Sequence, residues 1–328
     1  MERDERVDAA GTIAGGRSGS SRIDAGGDAP SQALTEFGRR GSRRRMPRVV
    51  YSLLQNRLAI LGVFILIVMV FAALFAPFLT DHDPEAGIII DGKTPPAWSE
   101  GGSSEYLLGT DSLGRDILTR MLYGARISLM VGVVAVLIAG AIGITLGLIS
   151  GYYGGKIDDI IMRLVDIQLA VPFILLAIAI LAVLGQGLDK IIITLGISGW
   201  VTYGRVVRGQ VLSWRETEFV EAARAIGARN LSIMFKHILP NTFASIIVIA
   251  SFAVANTILA EASLSFLGLG VPPDVPTWGG MVAAGRDYII TGDWWIYTFP
   301  GIAIMLTVLG INVVGDWLRD YLDPRLRL

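Results

Sequence analysis

The chain has 328 residues, is 52% hydrophobic and 17% charged, and carries a formal net charge of −1 with a mean hydropathy of +0.57. Soluble domains hold about 25% charged residues, so this balance describes an integral membrane protein. No cysteine is present, which excludes disulfides, thiolate catalysis and cysteine metal sites.

Residues 1–45 are dominated by Gly, Ser, Asp and Arg, with almost no aromatics and no apolar period. Such a segment cannot bury enough surface to order itself and is expected to be a disordered tail. It lacks the layout of a cleavable signal, because the first apolar run starts near Leu58 and is long enough to span. The Arg39–Arg48 cluster is expected to bind anionic membrane lipid and to set topology. A twin-arginine export signal is the alternative, and the long hydrophobic segment argues against it.

Apolar runs able to cross a bilayer, about 20 residues each, are Leu58–Leu79, Ile127–Ser150, Ile167–Leu188, Ile238–Ala260 and Trp294–Gly315. A sixth, Ile191–Gly204, is short. It spans only if it starts near Gly187, with Asp189 and Lys190 snorkelling at the interface, and loop parity requires it. With six spans and the N-terminus inside, eighteen basic residues fall in inner segments and six in outer ones. The positive-inside rule then puts both termini in the cytoplasm.

The first outer segment, Thr80 to about Arg126, contains Asp81-His82-Asp83-Pro84 and then Gly109-Thr110-Asp111-Ser112-Leu113-Gly114-Arg115-Asp116. Asp-Pro makes a turn, and a lone His is a poor chelator, so no metal is expected. After the second span, Ser150-Gly151-Tyr152-Tyr153-Gly154-Gly155-Lys156-Ile157 imitates a phosphate loop. Ser150 stands where that motif needs Gly, and Ile157 where it needs Ser or Thr, so phosphate and magnesium lose their ligands. A tight turn is expected there, with no catalytic residue.

Between the expected fourth and fifth spans lies Glu221–Pro240, EAARAIGARNLSIMFKHILP. Phe219, Ala222, Ala223 and Ile226 make one apolar helix face; Leu231, Met234, Phe235 and Ile238 make a second. Gly227 and Asn230 stop one helix and start the next. Two short helices also imitate a DNA-reading helix-turn-helix, but tethering between spans and mixed charge oppose this, and no nucleic-acid partner is expected. The small-xxx-small spacing Gly143–Gly147 marks a helix contact. Asp166, Gln168, Asn256 and Glu261 are the polar residues in or beside spans, with Glu261 expected near the interface, hydrated or paired at a helix end. The last outer segment, Ser263 to about Asp293, holds Val271-Pro272-Pro273 and Pro276-Thr277-Trp278-Gly279. It is expected to be stiff, with Trp294 and Trp295 as interfacial anchors.

GTDSLGRDILTRMLYGARISL, GYYGGKIDDIIMRLVDIQLAVP, EFVEAARAIGA with HILPN, EASLSFLGLGVPPDVPTWGGM and LRDYLDPRL occur in that order. Together they resemble the dipeptide/oligopeptide/nickel class of ABC importer permeases, and within it the second, C-type subunit. NRLAILGVFIL and FAPFLTDHDP resemble that subunit's N-terminal span, so the likeness runs from about Leu53 to the C-terminus. It implies an all-α, type I importer transmembrane domain of six helices in a prokaryotic cytoplasmic membrane. The expected organisation is a tail at 1–45, a first span and outer segment at 46–126, and a five-helix core at 127–328 with its loop at about 208–238.

The resemblance implies a heterodimer with a homologous permease subunit, two cytoplasmic ATPase subunits and an extracytoplasmic binding protein. ATP and Mg would be bound by the ATPases, and no cofactor by this chain. Glu221, Ala222, Ala223, Gly227, Ile238, Leu239 and Pro240 would form the ATPase-coupling element. Asp111, Arg115, Asp116, Pro273 and Trp278 are candidates for external contacts. Peptides are the expected cargo; nickel chelates and glutathione-like compounds are handled by the same class. An ATP-independent carrier would show inverted repeats or charged midplane residues, and neither is evident. A scaffold without transport is opposed only weakly, by the Gly-rich spans.

Overall fold

A computed structural model describes residues 48–322, so the expected tail at 1–45 and the end of the LRDYLDPRL motif lie outside the described residues. Among those described, all regular structure is helical. A short helix α1 (Arg48–Gln55) leads into α2 (Arg57–Leu79), whose first turn is capped by Asn56 Oδ1 accepting from the Ala59 amide at 3.1 Å. Most large side chains of α2 are exposed, while Ala59, Gly62, Ala73 and Ala76 are buried. Gly62 lies against the Gly310 carbonyl of α11 (Trp295–Leu322), and a methyl group on either glycine would crowd the other's oxygen at 3.1–3.2 Å.

Helix α3 (Ile117–Tyr153) is 37 residues long, about 55 Å at 1.5 Å per residue. Asp116 caps it by accepting from the Thr119 amide at 2.8 Å and hydroxyl at 2.5 Å. Gly154, at φ 64°, ends it and turns the chain into α4 (Gly155–Ala170), the tight turn expected at the phosphate-loop imitation. α3 packs along α6 (Leu188–Trp214) by a glycine seam. A methyl group at Gly147 would meet the Gly204 carbonyl at 2.7 Å and Val207 Cβ at 2.9 Å; one at Gly151 would meet Val211 Cβ at 2.7 Å. At Gly143 it would collide with the Trp200 carbonyl. The expected Gly143–Gly147 contact is therefore a close backbone approach.

The expected continuous span Ile167–Leu188 is broken. α4 and α5 (Phe173–Leu184) meet at Val171-Pro172 with a 97° bend. Pro172 has no N–H and forces Val171 into an extended conformation (φ −98°, ψ 124°). Among the described residues, four helices are long and apolar enough to cross a membrane, or five if the bent pair counts as one span, where six were expected. The segment of the sixth sits inside α6, a 27-residue helix carrying Asp189, Lys190, Arg205 and Arg208, too polar to qualify by composition.

After α6 come α7 (Glu218–Ala225), a turn, and α8 (Asn230–Ser232). A π-helical turn at Ile233–Ile238 then runs into α9 (Leu239–Phe266), giving one helical rod over Asn230–Phe266. Pro240 accounts for the wide turn: in an α-helix its ring would clash with the Lys236 carbonyl, and here the Leu239 amide bonds Met234 O, five residues back. α10 (Trp278–Gly285) wedges between α9 and α11.

The loop 80–116 has no helix beyond a 3₁₀ turn at Ile89–Asp91, yet it is densely bonded. Thr110 Oγ1 donates to Asp91 O at 2.5 Å and accepts from the Thr94 amide at 2.9 Å; the Trp295 indole donates to Thr110 O at 3.1 Å. Trp295 is therefore buried rather than an interfacial anchor, whereas Trp294 is 40% exposed.

Candidate functional site

The turn between α6 and α9 divides into a clamped face and a free face. Val220 and Ala223 of α7 join Ile233, Met234 and Ile238 in a buried cluster with Leu148 and Tyr152 of α3 and Val207 and Val211 of α6. Phe219 (40% exposed), Ile226 (86%), Leu231 (64%) and Phe235 (50%) stay in the open, as does Ala222. Neither expected apolar face is a unit. Ala223 parts from Phe219, Ala222 and Ile226, and Met234 and Ile238 part from Leu231 and Phe235. The π turn adds a residue to the repeat, and Val220 and Ile233 take the inner positions.

Gly227 has φ 79° and nothing within 4 Å of a built Cβ. It is required by the left-handed backbone of the turn, and any chain lying on the turn could approach it closely. Glu221, Ala222 and Gly227 are thus exposed, Ala223 and Ile238 are buried supports, Leu239 is half-buried, and Pro240 is exposed at the start of α9. Asn230 is the first residue of α8 rather than its cap, since Arg229 occupies that position.

Three polar ties fasten the turn's base. The Tyr152 hydroxyl donates to Asn230 Oδ1 at 2.9 Å, and the Arg224 guanidinium lies 5.3 Å from the Tyr152 ring centre. Arg224 thus contacts an aromatic face. Arg208 makes a two-pronged pair with Asp158, at 2.6 Å for both bonds, and the Ser150 hydroxyl donates to the same carboxylate. Arg215 donates to Gly151 O at 3.1 Å. Ser150, Gly151 and Tyr152, read above as a failed phosphate loop, are therefore the seat of the turn. Their only sequence signal was the polar residues beside a glycine-rich helix end.

The candidates for external contacts are mostly inside the protein. Asp111, Arg115, Asp116 and Trp278 are 7%, 7%, 5% and 1% exposed. Asp111 accepts from the Leu113 and Arg115 amides and takes Arg115 Nε at 2.7 Å, with Arg120 Nε at 3.7 Å. Arg115 and Arg120 both donate to Pro273 O at 3.1 Å, and Arg120 donates to Pro84 O at 2.8 Å. The Trp278 indole donates to Met121 O at 3.0 Å. The GTDSLGRD signature is a lock between the loop 80–116 and the segment around Pro273, and of the five only Pro273 offers surface. Glu261 is likewise 1% exposed, accepting from Ser265 at 2.8 Å and Thr277 at 3.1 Å, so of the two expected alternatives it is paired near a helix end rather than hydrated.

Long apolar helices around a glycine seam, with a clamped turn between two of them, define a multi-pass membrane protein. Residues 143–328 match the model of the family described as binding-protein-dependent transport system inner membrane component, and residues 47–96 match the N-terminal TM domain of oligopeptide transport permease C. The chain belongs to this family of inner-membrane transport permeases. It is 45% identical over 276 residues to the di/tripeptide transport system permease protein DppC of Pseudomonas aeruginosa, covering 84% of this chain and 91% of that one. It is 47% identical to the dipeptide permease DppC of Alkalihalophilus pseudofirmus over 83% of this chain and 88% of that protein. The oligopeptide permease OppC of Bacillus subtilis is 42% identical, over 83% of this chain and 87% of OppC. An inward-facing crystal form of the MetNI methionine ABC transporter shares the fold at TM-score 0.52 and 20% identity, covering 62% of this chain and 96% of the matched one.

Proposed function

We propose that this chain is the C-type transmembrane subunit of an ATP-driven peptide importer, forming half of the translocation path and coupling it to separate ATPases. The carrying observation is the divided turn: Phe219, Ala222, Ile226, Leu231 and Phe235 are exposed on an element whose inner face is fixed to α3 and α6. An exposed apolar face on a rigid base suits a docked chain. The bias of basic residues puts that turn and both termini in the cytoplasm, where ATPases reside. The partners are then a homologous permease subunit, two ATPase subunits holding ATP and Mg, and an extracytoplasmic binding protein. The relatives named for di-, tri- and oligopeptides support peptide cargo. No chemistry is assigned to this chain itself.

Co-purification with the two ATPase subunits tests the docking. Wild type retains them; Gly227→Val, strained at φ 79°, and Ile226→Asp lose them while the permease pair stays intact. Peptide uptake by vesicles containing this chain alone would remove the proposal.

A further inference from the structure

Helix α1 faces two ways. Val49, Val50, Leu53 and Leu54 fall on one side of it at helical spacing, with Ser52 and Gln55 on the other. The polar side is the one turned to the protein: the Trp317 indole of α11 donates to Ser52 Oγ at 3.3 Å. The apolar side is open, with Val49 44%, Val50 39% and Leu54 54% exposed. This reverses the ordinary surface helix, which buries its apolar stripe and shows its polar one.

Position and charge say what covers that face. Asn56 alone separates α1 from α2, and its extended backbone (φ −104°, ψ 100°) stops α1 from continuing straight into the span. α1 therefore sits where α2 enters the membrane. Just beyond Asn56 the open side chains are Leu58, Leu61 and Phe64, at 66%, 51% and 62%. A helix of eight residues is too short to hold itself together in water, so its open apolar side needs a surface to lie on. In the sequence Arg39, Arg40, Arg43, Arg44, Arg45 and Arg48 lead into α1, and no Asp or Glu occurs between Glu36 and Asp81. Cationic sequence beside an apolar helix face matches anionic head groups above acyl chains.

We infer that α1 lies in the plane of the membrane, with Val49, Val50 and Leu54 inserted among the acyl chains of the cytoplasmic leaflet, whose anionic lipids the preceding arginines attract. Trp317 then carries the anchor to α11, so the inner end of that span is held to the lipid surface as well as crossing it. The inference goes beyond the importer reading and borrows only its orientation.

The test compares this chain with the complete transporter, built with cysteine-free partner subunits, in sealed vesicles whose cytoplasmic face is outward. The chain has no cysteine, so Leu54→Cys and Gln55→Cys each supply its only thiol. A membrane-impermeant thiol reagent should modify Gln55→Cys readily and Leu54→Cys poorly, with a wider gap in phosphatidylglycerol than in phosphatidylcholine. Adding Arg43→Gln, Arg44→Gln and Arg45→Gln should close the difference between the two lipids, by up to about fivefold in rate for each arginine. Equal modification of both thiols, or a gap that does not depend on the lipid, overturns the inference. Shielding of Leu54→Cys only when the partner subunits are present gives the face to protein and overturns it too. Modification of Gln55→Cys in intact cells puts α1 on the outer side and sinks the orientation in the importer reading with it; the other failures leave that reading standing.

Discussion

Tyr152, one residue from the end of α3, donates its hydroxyl to Asn230 Oδ1 at 2.9 Å, 78 positions along the chain. The bond joins a spanning helix to the first residue after the exposed turn, and the same ring carries Arg224 of α7. A push on the turn therefore reaches α3 directly, as well as through the continuous rod into α9. Replacing Tyr152 by Phe keeps the ring and removes the bond, at about 1 kcal/mol. The expected outcome is a small loss of thermal stability with more ATP hydrolysed per peptide imported. Tyr152→Ala, which also leaves a cavity, costs about 3 kcal/mol. An unchanged ATP-to-peptide ratio in the Phe variant would remove Tyr152 from the transmission path.

The α3–α6 seam predicts a position-dependent glycine series. Gly143→Ala and Gly147→Ala drive a methyl group into backbone on α6, and overpacking of this kind costs about 1–3 kcal/mol. Gly209→Ala, on the same helix pair but with nothing within 4 Å, gains up to about 1 kcal/mol of helix propensity. Thermal unfolding of the purified protein in detergent should therefore move down for the first two variants and stay or rise for the third. Equal shifts at all three sites would mean that helix propensity, not close approach, sets the effect.

Much of this was legible in the sequence, and the failures have physical causes. Hydropathy located α2, α3, α9 and α11, because a run near 20 apolar residues has few alternatives to a helix in lipid. Gly143, Gly147 and Gly227 were read correctly because small residues at fixed spacing and a glycine stop are local signals. The bend at Pro172 was missed because hydropathy measures polarity and not direction. The face of the helix after the turn was misassigned since one extra residue in the π turn at Ile233–Ile238 shifts the positions before Pro240; in α7 apolar residues lie at Phe219, Val220, Ala222 and Ala223, so spacing alone did not choose between the Phe219 and Val220 sides. Asp111, Arg115, Asp116 and Glu261 looked like surface residues because charge normally goes there; their burial depends on partners such as Pro273 O and Thr277 that are distant in sequence.

The outer lock should be the least replaceable polar cluster. Asp111→Ala would leave Arg115 and Arg120 buried with carbonyls but no carboxylate, and breaking a buried pair on one side costs about 3–5 kcal/mol. Loss of folded protein is expected for Asp111→Ala. Asp111→Asn keeps an acceptor for the Leu113 and Arg115 amides and should fall between it and wild type. Protease sensitivity of the two locked loops in the purified protein reads this out. Indistinguishable digestion of Asp111→Ala and wild type would show that the backbone bonds at Thr94 and Thr110 hold the loops unaided.

Glu261 tests whether a buried carboxyl is kept for its charge or for its shape. One oxygen, Oε1, accepts from both Ser265 and Thr277, and no cation is paired with it among the described residues. Thr277 also accepts from the Gly280 amide at 2.9 Å, so the same group organises the start of α10. An amide oxygen can accept both hydroxyls equally well, so Glu261→Gln should leave stability within about 1 kcal/mol of wild type. Glu261→Ala strands two buried hydroxyls and should cost about 1–3 kcal/mol. If transport as well as stability survives in Glu261→Gln, the carboxyl acts as a fixed acceptor joining α9 to α10. If stability survives and transport fails, its ionisation takes part in the cycle, and the structural account given for it is wrong.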